Sequence, residues 1–474
     1  MPPFAAPYNP TSIGYPKRTP SPPNVVTLNV GGHLFQTTTQ TLTLAGPDSI
    51  LSTYANPGSS SDAFIDRDPE LFSVLLSLLR TASLPSKARS FDLQDLLAEA
   101  RFFGLEPLLV SSLSSPDRFD PFALEPSAVL PLNGRDPPST LSVTQTGSVH
   151  VAHGSKITSF DWSLRRRSTV LTRFPAVDSL LAISPSVAAA GATDVAGLQI
   201  LSLSDGGSTL KTLNWADPTK SGSAVQAIGA SPELLFSSFE SCRRNASAIV
   251  AFDAGAGFEP VVEIGRREIY GAELDSAIPA TKLQWVPSYN LLMAAGAHSG
   301  PSGRTGNVRL WDVRAPMEAV WEAKEGTEDC FADVAASEEV GAVFKVGVNS
   351  GEVYMVDLRK MGGWVGLGRG AAVAAGKGGK EGSGCRVECY GGHVFVSRSG
   401  DVEMWSEVVV KGGLNCGLGG DERVMRRNVI GRRRGDGAGK GRIGEMGFGG
   451  SRMVLARKGE QCVEVWEGGS GLRF

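Results

Sequence analysis

The chain has 474 residues, 41% of them hydrophobic and 20% charged, and carries a formal net charge of −3. That length supports two or more domains with real cores, and the near-neutral balance excludes a surface built as a whole for polyanions. No run of 18 apolar residues occurs, so no membrane span is expected. Residues 1–23 hold eight prolines and no apolar stretch of signal-peptide length, and read as a disordered or polyproline-like tail. The next stretch, VVTLNVGG at 25–32, alternates Val26, Leu28 and Val30 on one face of a strand. Gly31-Gly32 supplies a tight turn, with 33–38 returning as the second strand of a hairpin. A short strand is expected to end at Ile65. A helix then starts with Asp68 as N-cap, Pro69 at the first helical position and Glu70 in the first turn. Leu71, Leu75, Leu78 and Leu79 form its apolar stripe.

A further helix is expected from Asp92, which caps it, with Asp95 in the first turn. Leu93, Leu96, Leu97 and Ala100 are its buried stripe, and Gly104 its left-handed stop. Pro107 opens a last short helix to about Leu113. The segments LNVGGHLFQTTTQTL, AFIDRDPELFSVLLSLLRTASLP and LLAEARFFGLEPLL, in that order, resemble the tetramerisation-type BTB/POZ domain. That domain occurs in voltage-gated potassium channels and in soluble potassium-channel-tetramerisation-domain proteins. The resemblance spans residues 24–113 and implies an α+β oligomerisation domain, tetrameric or pentameric. Many soluble members recruit cullin-3. Some channel domains hold zinc between subunits through His and Cys, a feature that does not carry over, because no cysteine precedes Cys242. Adjacent helical residues point about 100° apart. Phe103 continues the apolar face, so Phe102 is expected to be partly exposed and is a candidate partner-binding residue. Asp66 and Arg67 are the other two candidates; they either pin the turn or, for Arg67, reach a neighbouring subunit.

Residues 114–138 are rich in Pro, Asp and Ser and read as a linker. From 139 to 474 helical stripes give way to short β-rich segments. Seven of them share a form: SKITSFDW, GLQILSLSDG, SAIVAFDAG, GNVRLWDVR, GEVYMVDLR, GDVEMWSE and QCVEVWEG. They recur at roughly 40 to 60 residues, near the period of a blade of four short strands. Trp311-Asp312 is similar to the Trp-Asp pair of WD40 repeats. The chain as a whole resembles plant BTB/POZ proteins with a degenerate WD-type propeller behind the first domain. Seven blades are expected, with six and eight as alternatives. AVLPL at 128–132 is the candidate strand to complete the last blade. Two loop insertions are expected, a Gly-rich one at 361–384 and a basic one at 421–442.

Six cysteines and five histidines are scattered along the chain and complete no zinc, HExxH or nucleophile motif. No enzyme activity, cofactor, metal or catalytic residue is therefore expected. Arg426, Arg427, Arg432, Arg433 and Arg434 read as a solvated loop, a nuclear-import signal or an anion-binding patch. Nucleic-acid recognition is not expected without interleaved aromatics. The expected location is intracellular, cytoplasmic, nuclear or both. The function expected from the resemblance is a non-enzymatic oligomeric adaptor of a cullin-3 ubiquitin ligase, with the propeller holding an unknown protein substrate. A ligase-independent scaffold or regulator of signalling or transcription is the alternative.

Overall fold

Gly31 shows how tightly the N-terminal hairpin is specified. Its φ is +57°, and a Cβ there would lie 2.5 Å from the Arg67 carbonyl oxygen and 2.9 Å from Pro69 Cδ, so only glycine fits. It joins β1 (Val25–Val30) to β2 (His33–Thr38), which pair antiparallel from Val25↔Thr38 to Val30↔His33. Two short helices follow, α1 (Thr39–Thr43) and α2 (Ile50–Thr53). The strand β3 (Phe64–Ile65) then lies parallel to β1. Asp68 caps α3 (Pro69–Thr81), its Oδ1 accepting from the Glu70 amide at 2.7 Å and the Leu71 amide at 3.3 Å. Asp92 does the same for α4 (Leu93–Phe102), accepting from the Gln94 amide at 2.7 Å. Gly104 at φ +71° turns the chain into α5 (Glu106–Leu113). Leu28, Val30, Leu71, Leu75, Leu78, Leu79, Leu96, Leu97 and Ala100 are buried as the stripes require, whereas Val26 and Leu93, at the start of their elements, are only half-buried. Phe103 is fully buried against Phe72, ring centroids 4.9 Å apart.

This is a computed structural model. It describes residues 25–55, 64–204, 206–215, 222–243, 246–268, 278–301, 303–368, 381–410, 422–430 and 441–468. The proline-rich tail at 1–23 lies outside them. The chain divides into two compact units, Met1–Ser112 and Leu113–Phe474.

The second unit is a ring of four-stranded antiparallel sheets, seven among the described residues. The inner strands are Thr140–Val143, Ser179–Ser184, Ser223–Ala230, Lys282–Val286, Phe331–Ser337, Val387–Tyr390 and Ile443–Gly449. Each lies against the inner strands on both sides, and the last meets the first, so the ring is closed. The seven recurring segments of the sequence are the third strands of the seven sheets. A lone four-stranded sheet would leave both faces wet. Here every junction between neighbouring sheets carries an apolar cluster. One example packs Met293 and Val308 of the fourth sheet against Phe331 and Val343 of the fifth.

The last sheet is completed from the other end of the chain. β4 (Leu124–Pro131) pairs antiparallel with Cys462–Gly468, from Leu124↔Gly468 to Pro131↔Cys462. The closing strand therefore starts four residues before the segment read from sequence, and residues expected as linker are built into the ring. Prolines are tolerated because β4 is an edge strand, where a missing N–H costs no ladder bond. Pro126 falls at a register shift opposite Trp466. Just before β4, Phe119 is buried among Tyr390, Phe395 and Phe448.

Each expected loop insertion contains an outer strand, and residues 369–380, 421 and 431–440 lie outside the described residues. Val365–Gly366, inside the Gly-rich stretch, is the outer strand of the fifth sheet. Glu422–Ile430, inside the basic stretch, is the outer strand of the sixth. Outer strands are half exposed, so glycine and arginine are acceptable there. Among the described residues no helix is long and apolar enough to cross a membrane.

Candidate functional site

The first candidate surface is built by the turn before α3 and the end of α4. Phe102 is 38% exposed. The Arg67 guanidinium lies over its ring, 3.9 Å from the centroid. Arg67 Nη1 also reaches Glu99 Oε1 at 3.6 Å. Glu99 is buried on the same helix; burial raises its carboxyl above the usual range, and Arg67 opposes that shift. Asp66 is exposed beside them. Of the three residues singled out in sequence, Arg67 and Phe102 thus form one stacked pair within a single chain. The acidic partner, Glu99, carries no local signal; only its position three residues before Phe102 on the helix reveals it.

The basic run separates. Arg426 is exposed on the outer strand of the sixth sheet. Arg427, its neighbour, is half-buried and its Nη2 donates to Glu403 Oε1, which also accepts from Arg398 Nε at 2.9 Å. Arg427 is therefore already engaged within the sheet, sharing the Glu403 carboxylate with Arg398. Arg432, Arg433 and Arg434 lie outside the described residues.

A second candidate surface emerges only from the ring. A cavity of about 450 Å³ opens where the inner strands begin. Thr140, Ser179, Gln226, Lys282, Asp333, Glu388 and Glu445 line it, one from each sheet. In an antiparallel sheet, the turn between the second and third strands lies at this same end. In the fourth sheet these two strands run on past the inner strand, pairing as far as Gly300↔Gly303. Ala297 and Arg304 of this projecting hairpin join the lining.

Salt links cross the cavity floor from sheet to sheet. Lys282 Nζ donates to Asp333 Oδ1 at 3.2 Å, Glu388 Oε1 at 2.8 Å and the Val387 carbonyl at 3.0 Å. Asp333 Oδ2 accepts from the Val387 amide at 2.9 Å. Arg386 donates through Nη2 to Glu445 Oε1 and through Nε to the Gly444 carbonyl at 2.8 Å. Burial works against the Lys282 charge, but Asp333 and Glu388 outweigh it and hold the ammonium above its usual range. Burial raises the Glu388 and Glu445 carboxyls, with Lys282 and Arg386 respectively opposing the shift.

Three of the five histidines sit in structural settings. His150 Nδ1 and Ser159 Oγ are hydrogen-bonded at 2.9 Å, His153 Nε2 and Thr158 Oγ1 at 2.8 Å, and His393 Nδ1 and Ser406 Oγ at 2.9 Å. Among the described residues no group of three or more His, Cys, Asp or Glu is placed to hold a metal ion.

Comparison with known proteins covers both units. Residues 26–113 match the BTB/POZ domain family, and residues 136–468 match the family described as At2g24240-like, C-terminal beta propeller. The chain is 53% identical over 456 residues to the BTB/POZ domain-containing protein At5g41330 of Arabidopsis thaliana, covering 94% of this chain and 97% of that protein. It is 29% identical to the BTB/POZ domain-containing protein At4g30940 of the same plant, covering 71% and 77% respectively. Among solved structures, a chain of Kuenenia stuttgartiensis hydrazine synthase aligns with a TM-score of 0.50 at 14% identity, over 71% of this chain and 97% of that one. At that identity the likeness is one of fold alone.

Proposed function

Because this chain belongs to the BTB/POZ proteins that carry an At2g24240-like C-terminal β-propeller, we propose that it works as an oligomeric, non-enzymatic adaptor of a cullin-3 ubiquitin ligase. BTB and propeller domains are interaction modules, and together in one chain they make an adaptor or scaffold. In the proposed mechanism the BTB unit self-associates, as a tetramer or pentamer, and docks cullin-3. The propeller holds a protein substrate, and self-association multiplies its grip. Chemistry is supplied by the recruited ligase. The observation that carries this reading is the pairing of a BTB/POZ unit with a closed ring whose channel mouth is lined from every sheet. The exposed Arg67–Phe102 pair and Asp66 are the proposed contact residues of the first unit. Arg426 and the arginines at 432–434 are a proposed nuclear-import or anion-binding patch, in keeping with a cytoplasmic or nuclear location.

One observation favours the alternative, a ligase-independent scaffold or regulator. Beyond α5 the chain enters a short 3₁₀ turn at Pro116–Arg118 and then β4, which belongs to the ring. Among the described residues no separate helical extension follows Leu113 to strengthen a cullin contact. Co-precipitation with cullin-3, with and without residues 24–113, decides between the two. Binding that is lost on deletion supports the adaptor; an intact chain that fails to bind favours the scaffold.

A further inference from the structure

We infer that the outer face of the three-stranded sheet in the first unit is where one copy of this chain seats on the next, a donor of the neighbour reaching Asn29. The inference rests on the self-association in the adaptor reading and says which surface carries it. Successive residues of a strand point to opposite faces. On the inner face Leu28, Val30 and Ile65 are buried, and Phe35 packs on Phe72 of α3 with ring centroids 5.0 Å apart. The outer face holds Val25, Thr27 and Asn29 of β1, Leu34 and Gln36 of β2, and Phe64 of β3. Asn29 pairs with both Leu34 and Phe64, so these three form one row across the sheet. Val25, Leu34 and Phe64 are 61%, 70% and 59% exposed. Single exposed apolar side chains are ordinary, but three on one bare sheet face make a patch. Between two of them, Asn29 Oδ1 is shut off from water and accepts no hydrogen bond from any described residue. A buried acceptor in that state costs free energy until a donor meets it. None of the six face residues is charged, and depletion of charge around large apolar groups is the composition of the centre of a protein interface. Arg80 meets the sheet at its edge, where Nη2 donates to the Gln36 carbonyl at 2.6 Å. A neutral face selects neither an acidic nor a basic partner. The unit that carries it is the one matched to the BTB/POZ family, the module that self-associates in the adaptor reading, so the occupant is a second copy. In a closed ring each copy then presents this face once and covers its neighbour's once.

The test is sedimentation velocity on the purified full-length chain over a concentration series. Leu34→Asp/Phe64→Asp places two carboxylates on the face and is expected to run as a single copy at concentrations where the parent is assembled. Both side chains are mostly exposed, so the fold should hold, which a circular-dichroism melt checks. Asn29→Ala is the second variant. It removes the unsatisfied acceptor, so the melt should not fall, yet the neighbour's donor loses its partner and the dissociation constant should rise about tenfold, the worth of one hydrogen bond. Val129→Asp, on the exposed side of β4 in the ring, is the control for added charge and should assemble like the parent. A double variant that stays assembled, an Asn29→Ala chain that assembles as tightly as the parent, or a Val129→Asp chain that falls apart equally would overturn the inference. A face covered instead by this chain's own tail at 1–23, or by a different protein, would leave the double variant with the parent's mass. The two readings fail separately: a parent that runs as one copy sinks the self-association itself, whereas parent and double variant that both assemble sink this face alone.

Discussion

Phe102 and Phe103 share an edge-to-face contact, with ring centroids 5.0 Å apart, yet one is 38% exposed and the other fully buried. Phe103→Ala should cost about 3–5 kcal/mol through the cavity it opens beside Phe72. Phe102→Ala should cost about 1 kcal/mol or less, since it removes chiefly an exposed cation–π contact. Paired thermal melts check the difference. If Phe102 is a contact residue, its variant weakens partner capture with the melt nearly unchanged. His150 gives a second prediction. Burial lowers its imidazole to about 4, below the 6.5 or so of an unfolded chain. The unfolded state therefore takes up a proton first as the pH drops. The stability this neutral histidine contributes is complete above about pH 6.5 and is lost between there and about pH 4. The loss is about 3 kcal/mol. In His150→Gln that acid-dependent component should be absent, which denaturant unfolding at pH 7 and pH 4.5 can measure.

The elements divide sharply in how legible they were. Caps at Asp68 and Asp92 and the stop at Gly104 act through local chemistry, so α3 and α4 could be read almost residue by residue, whereas the short helices α1 and α2 carry no apolar stripe and were not found. The third strands of the ring could also be found, because most of their residues are buried and most end in an acidic or aromatic residue. Two outer strands were read as loop insertions. Val365–Gly366 and Glu422–Ile430 meet water on one side, and their glycines and arginines look like loop. The channel mouth had no motif at all: Lys282, Asp333, Glu388 and Glu445 come from four different sheets, and only ring closure brings them together. The closing strand gives the prediction at this scale. Leu130, 5% exposed, packs with Val149, Val151 and Val463 where the last sheet meets the first. Leu130→Ala should cost about 2–4 kcal/mol and raise proteolysis of the ring. The exposed Val129 beside it, changed to Ala, should do neither.

For the whole molecule, light scattering is expected to give a mass four or five times 49.8 kDa, and deletion of residues 24–113 to give a single copy. The deleted form should release an immobilised target faster than the full chain, because each ring then holds on alone. A full chain that runs as one copy would contradict the assembly. One feature also dictates an order of events during synthesis. The Ser127 hydroxyl meets the Val465 carbonyl 338 positions later, so the ribosome must deliver all the intervening blades before β4 finds its neighbour. The N-terminal unit can mature while still tethered, whereas the ring stays unfinished until Cys462–Gly468 has been made. A premature stop codon between Leu113 and Cys462 would thus yield a product whose N-terminal unit is sound and whose unclosed rear leaves sticky strand edges for chaperones to guard.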